Sequence, residues 1–279
     1  MSTFNIEEYL NSLPDDIEDI NVCGRRLTYL PDLSRFTKLR ILHCDFNELV
    51  SLPLLPNSLE YLSCSNNQLV TLPSLPNLLR YLCCSVNELV VLPLLPDSLK
   101  KLYCCHNQLV SLPLLPNSLQ ILWCFRNQLI CLPQLPNLLG ELECYGNQLI
   151  YLPSLPNSLQ TLCCSDNQLV SLPPLQSSLL ELDCSHNQLV SLPLLPNSLL
   201  DFDCSYNPVY NIINSENINV VKSNVKILNH YRFLHHCIKY KNKFRKWLWK
   251  SREKKIQEEY HPDKLREMLE GKDINDIDF

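Results

Sequence analysis

Glycine is scarce in this chain, with 4 in 279 residues. A Gly-rich loop that cradles phosphate cannot be built from so few. Met1–Asn11 carries Glu7 and Glu8 and no basic residue, so the start does not read as a secretory signal. No run of about 18 apolar residues occurs, so no segment is expected to span a bilayer. Charged residues are also sparse, at 19% against 46% hydrophobic and a net charge of −5, which is not the composition of a disordered chain. In excess are 15 Cys and 20 Pro. That cysteine density lies below that of a small disulfide scaffold, and the thiols are expected to stay free in a reducing, cytoplasmic setting.

From residue 51 the chain aligns in rows of twenty without a gap, reading Ser-Leu-Pro-x-Leu-Pro-Asn-Ser-Leu-x-x-Leu-x-Cys-x-x-Asn-Gln-Leu-Val. Cys recurs at every twentieth position from Cys44 to Cys204, and Asn from Asn47 to Asn207. One unit lies upstream, through Ile17, Ile20, Val22, Leu27 and Leu30-Pro31, with Arg25 in place of the Asn. A unit this short cannot bury its own apolar face, so neighbours must stack into a solenoid. Leu-x-Cys predicts a short strand with alternate side chains in and out, giving ten rungs and a parallel ladder roughly 45 Å long. The two prolines per unit disfavour a helix on the return path and favour extended or polyproline geometry. The Asn amide is expected to bond backbone groups of adjacent turns, with Asn207 at the end of the array mattering less than Asn127.

Leu39-x-x-Leu42-x-Cys44-x-x-Asn47-x-Leu49 matches the leucine-rich-repeat pattern. With its Leu-Pro-x-Leu-Pro segment, the unit is similar to the short twenty-residue class of such repeats found in bacterial effectors. Those more often carry Val or another apolar residue where this chain has Cys. The resemblance covers residues 17–210 and implies a curved solenoid with the strands on its concave face; it says little of function.

Residues 1–16 read as an N-terminal cap, with Phe4, Ile6, Tyr9 and Leu10 on one stripe of a short helix. Leu13-Pro14-Asp15-Asp16-Ile17 resembles the opening of an F-box, but the repeat frame begins where further helices would be needed. Residues 211–222 read as a linker or degenerate last turn. Residues 223–279 read as a basic helical segment with an acidic tail, and Asn242 marks a break between two helices. Residues 222–255 carry +11, residues 256–279 carry −5 and residues 1–221 carry −11. The basic segment can cap the last rung of the acidic solenoid, or hold nucleic acid or an anionic membrane surface. Phe244-Arg245-Lys246-Trp247-Leu248-Trp249, followed by Tyr260-His261-Pro262, is similar to a C-terminal segment of proteins from mimivirus-like giant DNA viruses. This implies an origin and no reaction.

The Cys column reads as small core hydrophobes, because a straight inward row cannot converge on a tetrahedral metal. Cys83, Cys105 and Cys163 are expected on the concave face, exposed and on non-adjacent rungs. Cys164-Ser165-Asp166 has the letters of the Cys-x-Asp motif in effector ubiquitin ligases, but Cys164 is a core position and the remaining chain is too short for that domain. The seven His are scattered. No catalytic constellation, metal site or cofactor site is expected.

The positions before, inside and just after Leu-x-Cys point outward and vary between units, whereas the framework hardly varies. Tyr61, Tyr81, Tyr103, Trp123, Phe125 and Tyr145 form an aromatic centre, a composition typical of binding hot spots. Glu141, Glu143, Glu181, Asp183, Asp201 and Asp203 follow as an acidic third. The sequence thus predicts non-catalytic protein recognition through the concave face, of a viral or effector-like kind, in a host cytoplasm. The rival readings are an adaptor that tethers nucleic acid or another protein through its basic helices, and a truncated ligase-like effector.

Overall fold

The computed structural model describes residues 4–215 and 217–259. The chain divides into two compact units, Met1–Lys226 and Ile227–Phe279. In the first, a helix (α1, Ile6–Ser12) precedes ten three-residue strands: β1 Asp19–Asn21, β2 Ile41–His43, β3 Tyr61–Ser63, β4 Tyr81–Cys83, β5 Lys101–Tyr103, β6 Ile121–Trp123, β7 Glu141–Glu143, β8 Thr161–Cys163, β9 Glu181–Asp183 and β10 Asp201–Asp203. They form one sheet in chain order, each strand parallel to the next and in register, with Leu42 opposite Leu62 and Trp123 opposite Glu143. This is a leucine-rich-repeat solenoid. The strand is x-Leu-x rather than Leu-x-Cys, and the Cys lies one residue past its end. Pairing continues there nonetheless, since Cys44 N–H donates to Ser63 O at 2.8 Å.

The core is the repeat itself. Leu39, Leu42, Cys44 and Leu49 are buried, as are their equivalents along the array except Ile17 and Phe202 at its two ends, which are half-buried. The residue before each Asn has positive φ, from Phe46 at 57° through Val86 at 55° and Gly146 at 63° to Tyr206 at 54°. Each unit therefore leaves its strand through a left-handed residue, a conformation that costs most side chains energy. Three of these positions hold Asn66, Asp166 and Gly146, residues that tolerate it well. Each Asn then locks the corner. Asn127 Nδ2 donates to Cys104 O, Cys124 O and Phe125 O at 3.0, 3.0 and 3.3 Å, and its Oδ1 accepts from Leu109 N–H at 3.0 Å. On the return path no helix forms. Ser residues there stitch rungs together, as Ser98 Oγ bonds Asn77 O at 2.8 Å and Leu79 O at 2.6 Å.

Both ends of the array are closed. α1 buries Ile6 and Leu10, and Asn5 caps it by accepting from Glu7 N–H at 3.1 Å. Phe4 and Tyr9 are only half-buried, their rings 5.4 Å apart. At the far end residues 211–222 are neither linker nor strand turn. They hold most of a short helix (α2, Tyr210–Ile213) and the start of a long one (α3, Ile218–Glu259). Val209, Ile213, Val221 and Val225 are buried there. Pro208 occupies the position where other units offer an N–H, and Val209 N–H donates to Leu189 O instead, at 3.0 Å. Lys222 Nζ donates to Leu199 O at 2.9 Å and Asn197 O at 3.2 Å. These are the carbonyls that the Ser of an eleventh unit would have taken.

In the second unit α3 runs on to Glu259 with no break at Asn242. Neither Gly nor Pro falls within it, so nothing in the backbone forces an interruption. Ile227, Tyr231 and Phe233 are exposed, and Lys239 and Lys243 lie 5.8 and 5.6 Å from the Tyr240 ring centre. Tyr260-His261-Pro262 and the acidic tail lie outside the described residues. No helix among the described residues is long and apolar enough to cross a membrane.

Candidate protein-recognition face

The variable positions of β1–β10 line one outward face. The aromatic residues are brought together there in one unbroken diagonal track. His43 meets Tyr61 at 5.0 Å between ring centres, Tyr61 stacks on Tyr81 at 4.0 Å, and Tyr81 meets Tyr103 at 5.3 Å. Tyr103 packs edge-on against Trp123 at 4.8 Å, Trp123 lies 6.3 Å from Phe125, and Phe125 stacks on Tyr145 at 4.3 Å. The track shifts from the first strand position to the third and then past the strand end, because the rung pitch of about 4.8 Å sets rings at stacking distance wherever neighbouring units carry them. All six predicted aromatics remain half-exposed. Burial, then a hydrogen bond with Tyr61, raises the Tyr81 hydroxyl well above its ordinary pKa, and burial, then the Glu141 charge, raises that of Tyr103.

The six predicted carboxylates follow on β7, β9 and β10. Glu141 Oε1 accepts from Trp123 Nε1 at 2.7 Å, joining the two halves of the face. Burial, then the Glu141 charge, raises the Glu143 pKa. Burial would also raise that of Asp183, but donation from Ser185 N–H and Oγ, Ser165 and Cys163 outweighs it, and the group sits below its ordinary value. Glu143, Glu181, Asp183, Asp201 and Asp203 share a shallow hollow of about 200 Å³. The sequence holds a further signal here: from residue 127 to residue 221 there is no Lys or Arg. The acidic half of the face therefore lacks a cation within its own span.

The position just after each Cys is not the outward one that strand alternation predicts. Ser65, Ser85, Cys105, Ser165 and Ser185 are buried, because the chain turns into its left-handed corner and backs these small side chains against the next rung. Asp45, Phe125, Tyr145 and Ser205 of that row are half-buried, and Asp45 Oδ1 turns to the next rung, accepting from Ser63 Oγ at 2.6 Å and Ser65 N–H at 2.8 Å. The three off-frame cysteines are also less exposed than expected. Cys105 is buried, with its Sγ 3.0 Å from Ser85 Oγ, while Cys83 and Cys163 are half-buried. Cys83 and Cys105 belong to adjacent rungs, β4 and β5, but two residues out of register. Such diagonal neighbours lie about 7–8 Å apart, beyond disulfide reach.

The nine column thiols are buried, and burial raises their pKa values strongly, that of Cys204 to about 12. Cys164 belongs to this column, so the Cys-x-Asp string holds a protonated core thiol rather than a nucleophile. Among the described residues no group of three His, Cys, Asp or Glu could hold a metal ion.

The chain belongs to the leucine-rich-repeat proteins. Among solved structures it is similar to YopM from Yersinia enterocolitica WA-314, with 34% identity and a TM-score of 0.54 over 70% of this chain and 52% of that one. It thus spans about half the length of that YopM chain. It is similar to the leucine-rich-repeat domain of a Shigella effector at 33% identity and a TM-score of 0.52, over 58% of this chain and 73% of the other. The functional domain of InlJ from Listeria monocytogenes, which includes a cysteine ladder, shares the fold at 24% identity and a TM-score of 0.53, over 72% of this chain and 50% of that one. No family model and no curated relative matches the sequence.

Proposed function

We propose that this solenoid is a non-catalytic, effector-like recognition scaffold whose strand face binds a protein partner. The observation that carries the reading is the continuous aromatic track from His43 to Tyr145, half-exposed and running into a span without Lys or Arg. Tyr103, Trp123, Phe125 and Tyr145 supply the apolar anchor. Glu141, Glu143, Glu181, Asp183, Asp201 and Asp203 supply a rim that favours a Lys- and Arg-rich segment of the partner. Tyr61 and Tyr81 extend the anchor toward β3. The fold shared with bacterial effectors, and buried thiols suited to a reducing compartment, support action in a host cytoplasm; the tail's resemblance supports a viral source.

The test is a pull-down and titration with wild type against the Trp123→Ala, Phe125→Ala variant. Binding should weaken by about 2 kcal/mol or more, roughly thirtyfold, with an unchanged circular dichroism spectrum. Undiminished capture by the variant would remove the strand face from the reading. One observation favours a second role, the +11 carried by residues 222–255. If that segment tethers nucleic acid, full-length protein will bind RNA or DNA with a steep salt dependence.

A further inference from the structure

A second exposed surface lies away from the strand face. Every twentieth residue from Val50 to Val170 is Val or Ile, five of the first and two of the second. Each is between 44% and 58% exposed. The local backbone explains why they line up. In each unit the preceding Leu is buried, as Leu69 and Leu109 are, so the residues on either side of it face out. The stretch is pinned rung to rung: Gln68 N–H donates to Leu49 O at 2.9 Å, and Gln128 N–H to Leu109 O at 2.9 Å. The result is a continuous apolar stripe with one side chain per rung, about 4.8 Å apart.

Folding does not require the stripe. A β-branched Thr would hold the same backbone while hydrating its hydroxyl, yet none of the seven positions carries one. The strand-face positions have diverged between units and this row has not. At half exposure each side chain leaves on the order of 75 Å² of apolar surface, so the stripe exposes roughly 500 Å², in the upper range for the largest patch on a monomer. With the neutral Gln, Ser and Thr positions beside it, the surface approaches the roughly 800 Å² per partner of a standard interface. The two rows that flank it from residue 48 to residue 171 contain only two charges, Glu48 and Glu88, so covering it strands little charge.

The pitch selects the occupant. A row of apolar groups at one fixed spacing interdigitates fully only with a row of equal spacing. The surface with that spacing is the same stripe on a second copy. We propose that two copies of this chain pack stripe against stripe, antiparallel about a two-fold axis, with Ile130, Ile150 and the neighbouring exposed Tyr151 as the largest anchors. Such an interface is isologous and closes as a dimer, leaving both strand faces open.

Sedimentation velocity on the full chain, under reducing conditions and over a concentration series, tests this. Wild type should reach twice the monomer mass. The Ile130→Lys, Ile150→Lys variant should dimerise at least tenfold more weakly with its circular dichroism unchanged. Ile130→Thr, Ile150→Thr keeps the β-branched shape and covers the case in which the Lys variant fails to fold; it should also weaken the dimer. Trp123→Ala, Phe125→Ala should dimerise as wild type does, which separates this surface from the recognition face. A wild type that stays monomeric, a dimer indifferent to both stripe variants, or one lost with Trp123 and Phe125 would each overturn the proposal.

Discussion

Asn127 makes four hydrogen bonds with one side chain, and Asn207 makes the same set at the end of the array. Its Nδ2 donates to Cys184 O, Cys204 O and Ser205 O at 2.9, 3.1 and 3.2 Å, and its Oδ1 accepts from Leu189 N–H at 2.9 Å. Replacing either by Ala leaves buried backbone groups unpaired, so each should cost roughly 1–3 kcal/mol in urea unfolding. The end position should therefore not be the cheaper one, contrary to the expectation from the sequence. The burial of Asn207 is not legible in the sequence, because the helical residues that follow it carry no trace of the period of twenty. The left-handed corner was partly legible, in Gly146, Asn66 and Asp166 falling in one column. Val86 hides it, being β-branched at a φ of 55°. Val86 is 43% exposed, so little packing is lost on replacement, and Val86→Asn should relieve that strain and raise stability by about 0.5–1 kcal/mol. A lower melting temperature for this variant would show that packing outweighs backbone strain at the corner.

Among the elements, the strands were readable because three cues agree at one spacing: an inward Leu, a Cys beside the strand end and an Asn at the corner. The far-end closure was readable only as a change to helical spacing. In the sequence Lys222 is one charge in a basic run, whereas in the fold its ammonium takes two carbonyls that no further rung is there to take. Lys222→Met should cost about 1–2 kcal/mol, because it keeps the stem and removes a charged donor. Deleting residues 209–279 removes four buried closing side chains and should yield aggregating protein, because an open rung exposes a strand edge. Deleting residues 230–279 keeps those four and should leave a folded, soluble solenoid. Light scattering on the two truncations checks both outcomes, and equal solubility would deny the closing helices their role.

For the whole molecule, the thiol column makes stability depend on pH in one direction. A cysteine in the unfolded chain loses its proton near pH 9, while burial holds the folded thiols protonated well above that. Below about pH 9 both states keep the proton and the contribution is constant. Above it the unfolded state binds fewer protons, so stability falls by about 1.4 kcal/mol per pH unit for each such thiol until the folded pKa is passed. The melting temperature should be flat to about pH 8.5 and then drop steeply. Replacing Cys104, Cys124 and Cys144 with Val should make that drop shallower, even if it lowers the melting temperature at neutral pH. A transition as high at pH 10 as at pH 8 would mean that the column is not buried as described.

Because each rung of the first unit pairs in register only with the rung before and the rung after, a load applied at its two ends cannot be shared among all ten. It is borne by the outermost rung alone, which peels before the next is stressed. Each release frees twenty residues, roughly 65–70 Å of extended chain less about 5 Å of rung width. Stretched in an optical trap, the solenoid should lengthen in repeated steps of about 60–65 Å at nearly constant force, as a zip opens tooth by tooth.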